Sequence, residues 1–172
     1  MAAARPARTL WGMSSLTWTD TLALGQPRMD DTHREFVDLV ASLEASLGGP
    51  APATDSALEQ LLAHTVEHFA QEERWMAAIG FSPENCHSFQ HAHVLQVLRE
   101  VTRLHREEGD LALVRQLVGE LSKWFPVHAQ AMDAALVEVM AERGFDAETG
   151  RIAVPVAADA APITGCGGAS CS

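Results

Sequence analysis

The sequence predicts an all-α protein, an antiparallel up-down-up-down four-helix bundle with an N-terminal arm and a flexible C-terminal tail. Three observations predict it. Apolar residues recur at spacings of three and four in four long stretches, each able to bury one helical face. Short turns rich in Gly, Pro and acidic residues separate the stretches, so consecutive helices must run antiparallel. No segment shows the alternation of a half-buried strand. A chain of 172 residues is one domain's worth. We divide it into an arm at 1–17, a bundle at 18–146 and a tail at 147–172.

The arm is Ala, Arg, Ser and Thr with scattered hydrophobics, and Trp11 and Trp18 are expected to tuck onto the bundle. The first helix is expected from Asp30 or Asp31, after Gly25 and Pro27, with His33, Phe36, Val40, Leu43 and Leu47 on one stripe. Gly48-Gly49-Pro50 stops it. Thr54 or Asp55 is expected to cap a second helix over 56–79, whose stripe holds Leu58, Leu61, His68, Phe69, Glu72, Trp75 and Ile79. Gly80 breaks it, and Ser82 and Pro83 are read as cap and first turn of a third helix over 83–106. That helix turns His87, His91, Val94, Leu98 and Val101 inward. After Gly109-Asp110 a fourth helix covers 111–142, its inner face carrying Val114, Leu117, Leu121, Trp124, Phe125, His128, Leu136 and Val139. Pro126 removes one backbone bond in it and is expected to bend it just before His128. The tail is rich in Ala, Pro and Gly and is read as too poor in apolar surface to fold by itself.

A formal net charge of -11 argues against nucleic acid and against anionic membranes as partners. No apolar run reaches the roughly 20 residues a membrane span needs, or signal-peptide form at the N-terminus, so the chain is read as cytoplasmic. Three cysteines, two of them in the last seven residues, make no disulfide framework.

The chemistry lies in the histidines. His87 and His91 are four apart on a helix and project from one face, as a pair gripping one metal ion must. His68 and Glu72 repeat that spacing, His128 is followed five residues later by Asp133, and His33 stands on the first stripe. Their neighbours on those stripes are Leu, Val, Phe and Trp. Leaving so many ionisable groups unpaired in a core would cost on the order of several kcal/mol each, against a total stability of about 5–15 kcal/mol. A metal removes the difficulty, because neutral imidazoles and carboxylates are what it coordinates. Seven donors are too many for one tetrahedral zinc, and calcium and magnesium prefer oxygen. Five imidazoles and two carboxylates inside a helical bundle suit two iron or two manganese ions. Among the seven donors no glutamate stands three residues before a histidine, the spacing of the Glu-x-x-His pairs in ferritin-like sites.

The order His33, His68-x-x-x-Glu72, His87-x-x-x-His91, His128-x-x-x-x-Asp133 resembles the hemerythrin family. The stretches Met29-Asp30-Asp31-Thr32-His33, His68-Phe69-Ala70-Gln71-Glu72-Glu73 and Trp124-Phe125-Pro126-Val127-His128 resemble that family's signatures, and the likeness covers about 18–142. The resemblance implies one iron on His87, His91 and His128, the other on His33 and His68, and bridges from Glu72, Asp133 and an oxo or hydroxo group. It implies reversible binding of dioxygen at the iron with fewer imidazoles, with no turnover: an oxygen carrier, store or delivery protein, not an enzyme. Phe36, Phe69, Trp124 and Phe125 are the expected walls of the oxygen pocket, or plain core. The family usually has Leu at the place of Phe125 and Ile at that of Ala129, which puts the pocket's shape in question.

Two further readings use the same scaffold: a diiron enzyme acting on peroxide or nitric oxide, and an oxygen or redox sensor. No proton donor beyond the ligands lies on the stripes, which lowers the first, and no signalling domain is visible, which lowers the second. A redox or acceptor protein partner is not identifiable. His64, His93 and His105 match no ligand position and are read as surface or outer residues; Cys86 points about 100° away from His87. Cys166 and Cys171 are read either as a redox or attachment pair or as exposed bystanders.

Overall fold

The computed structural model describes residues 16–157 and 159–165. After a short 3-10 turn at Asp20–Leu22, the helices are α1 (Pro27–Ser46), α2 (Ala51–Ile79), α3 (Cys86–Glu108), α4 (Leu111–His128) and α5 (Ala134–Arg143). A single π-helical turn, Ala129–Asp133, joins α4 to α5, so these three make one long fourth helix with an irregularity in its middle. α1 packs on α2 and α4, α2 on α3, and α3 on α4, which closes the predicted antiparallel four-helix bundle. No described helix is long and apolar enough to cross a membrane.

The helix ends differ from expectation at three places. α1 starts at Pro27, ahead of Asp30. The Gln26 side chain accepts from the Met29 amide, and Asp30 turns back to accept from the amides of Leu24 and Gly25 at 2.7 and 3.1 Å. α2 starts at Ala51, so Thr54 and Asp55 lie inside it. Thr54 is buried and donates to the Ser46 carbonyl at 3.2 Å, tying the start of α2 to the end of α1. α3 is capped by Asn85, which accepts from the Ser88 amide at 2.9 Å, and Pro83 stands in the turn before it. Asp110 caps α4 through the amides of Ala112 and Leu113.

Two apolar clusters fill the bundle. One runs from Phe36, Val40 and Leu43 on α1 across Leu58, Leu61 and Phe69 on α2, Val94 and Leu98 on α3, and Leu117, Leu121 and Phe125 on α4. The other holds Met29, Trp75, Met76, Ile79, Phe81, Leu136, Val139 and Met140. On α1, α2 and the fourth helix a candidate ligand stands where the two meet. His33 follows Met29 and precedes Phe36, Glu72 stands between Phe69 and Trp75, and Asp133 between Ala129 and Leu136. The site is therefore a polar layer sandwiched between two dry ones.

The tail also differs from expectation. The described stretches 147–157 and 159–165 are laid against the end of the bundle. Ile163 lies alongside Phe81, its amide bonding to the Gly80 carbonyl at 3.0 Å and its carbonyl accepting from Ser82 at 2.8 Å. Phe145, Ile152 and Ile163 cover the second apolar cluster, with the Phe145 ring 6.5 Å from that of Trp75. Gly144, at φ +57°, turns the chain back; a Cβ there would lie 2.8 Å from Ala153. At the other terminus Leu16, assigned to the arm, is buried in the first cluster. Trp18 packs there as expected, with the Arg34 guanidinium 4.6 Å over its ring. Trp11, Cys166 and Cys171 lie outside the described residues.

Candidate metal centre

The structure brings all seven predicted residues together. Glu72, His87, His91, His128 and Asp133 form one group, and His33, His68 and Glu72 a second, each offering ligand atoms within 4.8 Å of one another. The two carboxylates lie between the groups and divide their oxygens. Glu72 Oε1 is 2.5 Å from His68 Nε2, while Oε2 is 3.2 Å from His87 and 3.3 Å from His91. Asp133 Oδ2 is 3.2 Å from His33 Nε2, while Oδ1 is 3.0 Å from His87 and 3.2 Å from His128. Both carboxylates are wholly buried, at 0% exposure.

Local structure explains how each side chain arrives. The i, i+4 pairs of α2 and α3 need only regular helix. Residues five apart do not share a helical face, yet His128 and Asp133 do. The π turn supplies the difference, because its wider loop takes up one extra residue, marked by the Ala134 amide bonding to the Ala129 carbonyl. The change of register lies after His128; α4 is helical through Pro126, and the Ala129 amide bonds to the carbonyls of Phe125 and Pro126.

The donor set passes a simple test of fitness for a metal. Five imidazole nitrogens and four carboxylate oxygens face one another, all buried, and none makes a hydrogen bond of proper geometry with another protein atom. In a packed core such orphaned atoms are rare. Lone pairs converging on common points, rather than on each other's protons, are what metal ions require. The electrostatics agree. Burial alone would push the Glu72 carboxyl up, but the rings of His68, His87 and His91 hold it well below the usual carboxylate range. Asp133, buried beside Glu72, is likewise held far down by His128 and His33. Burial lowers the His87 imidazole, yet Asp133 and Glu72 outweigh it and push it up to about 9. His91 is raised by Glu72 and Glu73 against burial, whereas burial leaves His128 lowered.

The aromatic residues differ in position. Phe125 stacks on Phe36 at 4.8 Å and presents its ring to His33 edge-on at 5.1 Å, beside the two-histidine group. Phe69 lies flat on His91 at 3.9 Å and also touches His68 at 5.4 Å. Trp124, expected in the pocket wall, stacks on His128 at 4.3 Å and lies on the three-histidine side. It donates through Nε1 to Gln90 Oε1 at 3.2 Å, the same oxygen that is 3.1 Å from His128 Nδ1.

Two functional neighbours were given no role from the sequence, although Glu73 stands in a stretch that carries the resemblance. Gln90 holds His128, and Glu73 holds His91 Nδ1 at 2.9 Å. Both sit one residue from a ligand, off the apolar stripe, where periodicity gives no signal. Of the unassigned histidines, His93 is exposed and His64, half-buried, lies 3.2 Å from the Thr32 carbonyl. His105 corrects the surface reading: it is buried at the opposite end of the bundle, 3.6 Å from Asp55. Cys86 is a partly exposed free thiol outside both ligand groups.

Comparison with known proteins agrees with this geometry. The family model described as the hemerythrin HHE cation binding domain matches residues 24–140, spanning every residue of the two groups. A bacteriohemerythrin of Ralstonia nicotianae is 40% identical over 135 residues, covering 78% of this chain and 96% of the relative. A bacteriohemerythrin of Pseudomonas aeruginosa is 29% identical over 129 residues, 74% of this chain and 83% of the relative. A hemerythrin-like protein of Naegleria gruberi is 28% identical over 83 residues, 48% and 66% of the two chains. With its fold, its buried donor set and these relatives in agreement, the chain belongs to the hemerythrin family.

Proposed function

We propose that this chain binds dioxygen reversibly at a non-haem diiron centre, as a cytoplasmic oxygen carrier, store or delivery protein without enzymatic turnover. On this reading His87, His91 and His128 hold one iron, His33 and His68 hold the other, and Glu72 and Asp133 bridge them. The observation that carries it is the division of the two carboxylates, each with one oxygen toward the three-histidine group and one toward the two-histidine group. A pair of ferrous ions there would supply two electrons and, on the side with fewer imidazoles, a free coordination position.

The chain's own residues do the rest. Three rings against two make the donor set unequal, so a small ligand has one side on which to bind. Phe36 and Phe125, both buried, keep water from the His33 side, and exclusion of water slows loss of a reduced oxygen species. Phe69 and Trp124 stack on the rings of His91 and His128, and Glu73 and Gln90 meet those rings' outer nitrogens, so the three-histidine group is held on face and edge.

The test is metal analysis of the purified protein together with absorption spectra of the ferrous protein through cycles of air and argon. The expected result is two irons per chain and a visible band that appears in air and disappears under argon. Irreversible oxidation on the first cycle, with turnover of added peroxide or nitric oxide, would instead favour the enzyme reading. Zinc, or no metal despite ample iron, would overturn both.

A further inference from the structure

We infer that Glu73 is a positioning residue for the metal centre: from α2 its carboxylate fixes His91 in the tautomer that turns Nε2 toward the metal, and it is itself anchored to the group that caps α3. The inference rests on the reading of the centre as metal-binding.

Adjacent glutamates on α2 face opposite ways. Glu72 is wholly buried among the ligands, whereas the Glu73 side chain is 39% exposed and reaches across to α3. Its Oε1 lies 2.9 Å from His91 Nδ1. An ionised carboxylate only accepts, so the ring must donate, and a neutral ring with its proton on Nδ1 offers its lone pair at Nε2. His91 Nε2 is the atom that lies 3.3 Å from Glu72 and has no hydrogen-bond partner.

The other Glu73 oxygen accepts from Ser88 Oγ at 2.6 Å. Ser88 Oγ in turn accepts from Asn85 Nδ2 at 2.9 Å, and the same Asn85 amide donates to the Ser82 carbonyl at 2.7 Å. Every donor and acceptor in this chain is used in a consistent sense. Glu73 therefore cannot swing away without disturbing the group that caps α3, the helix bearing both His87 and His91. Phe69 lies flat on the same ring, 8° from parallel, so His91 is fixed in tilt as well as rotation.

No other ligand ring in the site is held this way. His128 has a neutral amide, Gln90, at Nδ1, and the Nδ1 atoms of His33, His68 and His87 have no hydrogen-bond partner. A mere ion pair between α2 and α3 would need neither the second oxygen on Ser88 nor a particular ring nitrogen.

The experiment compares Glu73→Ala, Glu73→Gln and Ser88→Ala with the parent. Nitrogen NMR of histidine-labelled, metal-free protein at alkaline pH, where imidazoles are neutral, reads the His91 tautomer. Competition for ferrous ion with a chromogenic chelator reads affinity. Glu73→Ala should give a mixture of His91 tautomers and weaken ferrous binding about 10- to 100-fold, the range for losing such an outer partner. Glu73→Gln, whose amide oxygen still accepts, should keep the Nδ1–H form and most of the affinity. Ser88→Ala should keep the tautomer and show a smaller loss in the same direction. An unchanged tautomer in Glu73→Ala, or a scrambled one with parental affinity, overturns the inference. Should Glu73→Ala fail to fold, parental affinity in Ser88→Ala overturns it. If the parent takes up no ferrous ion, the metal reading fails, and the tautomer measurement alone decides the role of Glu73.

Discussion

Phe125 and His87 show how single side chains tune this centre. Phe125 fills the space between Phe36 and His33, and a leucine there would remove the edge of a ring from beside the two-histidine group. We predict that Phe125→Leu leaves two irons per chain but changes the lifetime of the air-exposed ferrous protein several-fold. Equal lifetimes in stopped-flow or spectrophotometric decay would exclude a role for this ring in the pocket. His87 governs a pH effect. Asp133 and Glu72 push its imidazole up to about 9 against burial, so in the metal-free protein it holds a proton at neutral pH. The stabilisation from that proton is full below the ordinary histidine value, near 6.5, and is lost as pH rises through about 9. A metal ligand must be neutral, so ferrous uptake at pH 7.5 should release a proton from His87, and apparent affinity should rise with pH until about 9. Calorimetric titration in buffers of different ionisation enthalpy would count the protons; none released would contradict the assignment.

At the scale of the element, the π turn between α4 and α5 is the decisive irregularity. It lets Asp133 share a face with His128 although they are five residues apart, and it keeps Leu136 and Val139 pointed into the second cluster. Moving the acid to the ordinary helical position, by Met132→Asp with Asp133→Met, should leave the helical content intact and remove at least half of the bound iron. Retention of two irons would mean that register at this turn does not matter. Circular dichroism and metal analysis on one preparation suffice.

For the whole molecule, the layering of polar site between two apolar clusters makes the metal centre depend on both ends of the bundle. The tail closes the nearer end. Ile152 and Ile163 are partly buried against Trp75, Met76 and their neighbours, so truncation after Arg151 uncovers that cluster. Burial of each such side chain contributes on the order of 1 kcal/mol when incomplete. We expect the truncated protein to unfold about 4–8 °C lower in calorimetry, given a loss of about 2 kcal/mol in a chain of this size. An unchanged transition would show that the tail rests on the bundle without stabilising it.

The sequence by itself determined the bundle and the seven donors. Both are carried by local periodicity: four amphipathic stripes specify four helices, and charged or imidazole side chains on those stripes must meet in the interior. The helix ends were less legible, because Asp30 and Thr54 bond to neighbouring segments rather than capping a helix, and Asn85 takes the cap that was expected of Ser82. The tertiary structure alone decided the rest. The shared face of His128 and Asp133 depends on a change of helical register that no α-periodic reading contains. Glu73 and Gln90 lie off the stripes and acquire their roles only from the rings that cross to them. The tail's composition is that of a loose segment, yet an exposed apolar end of the bundle stands opposite its few isoleucines, and burial against a distant surface leaves no mark on the local sequence.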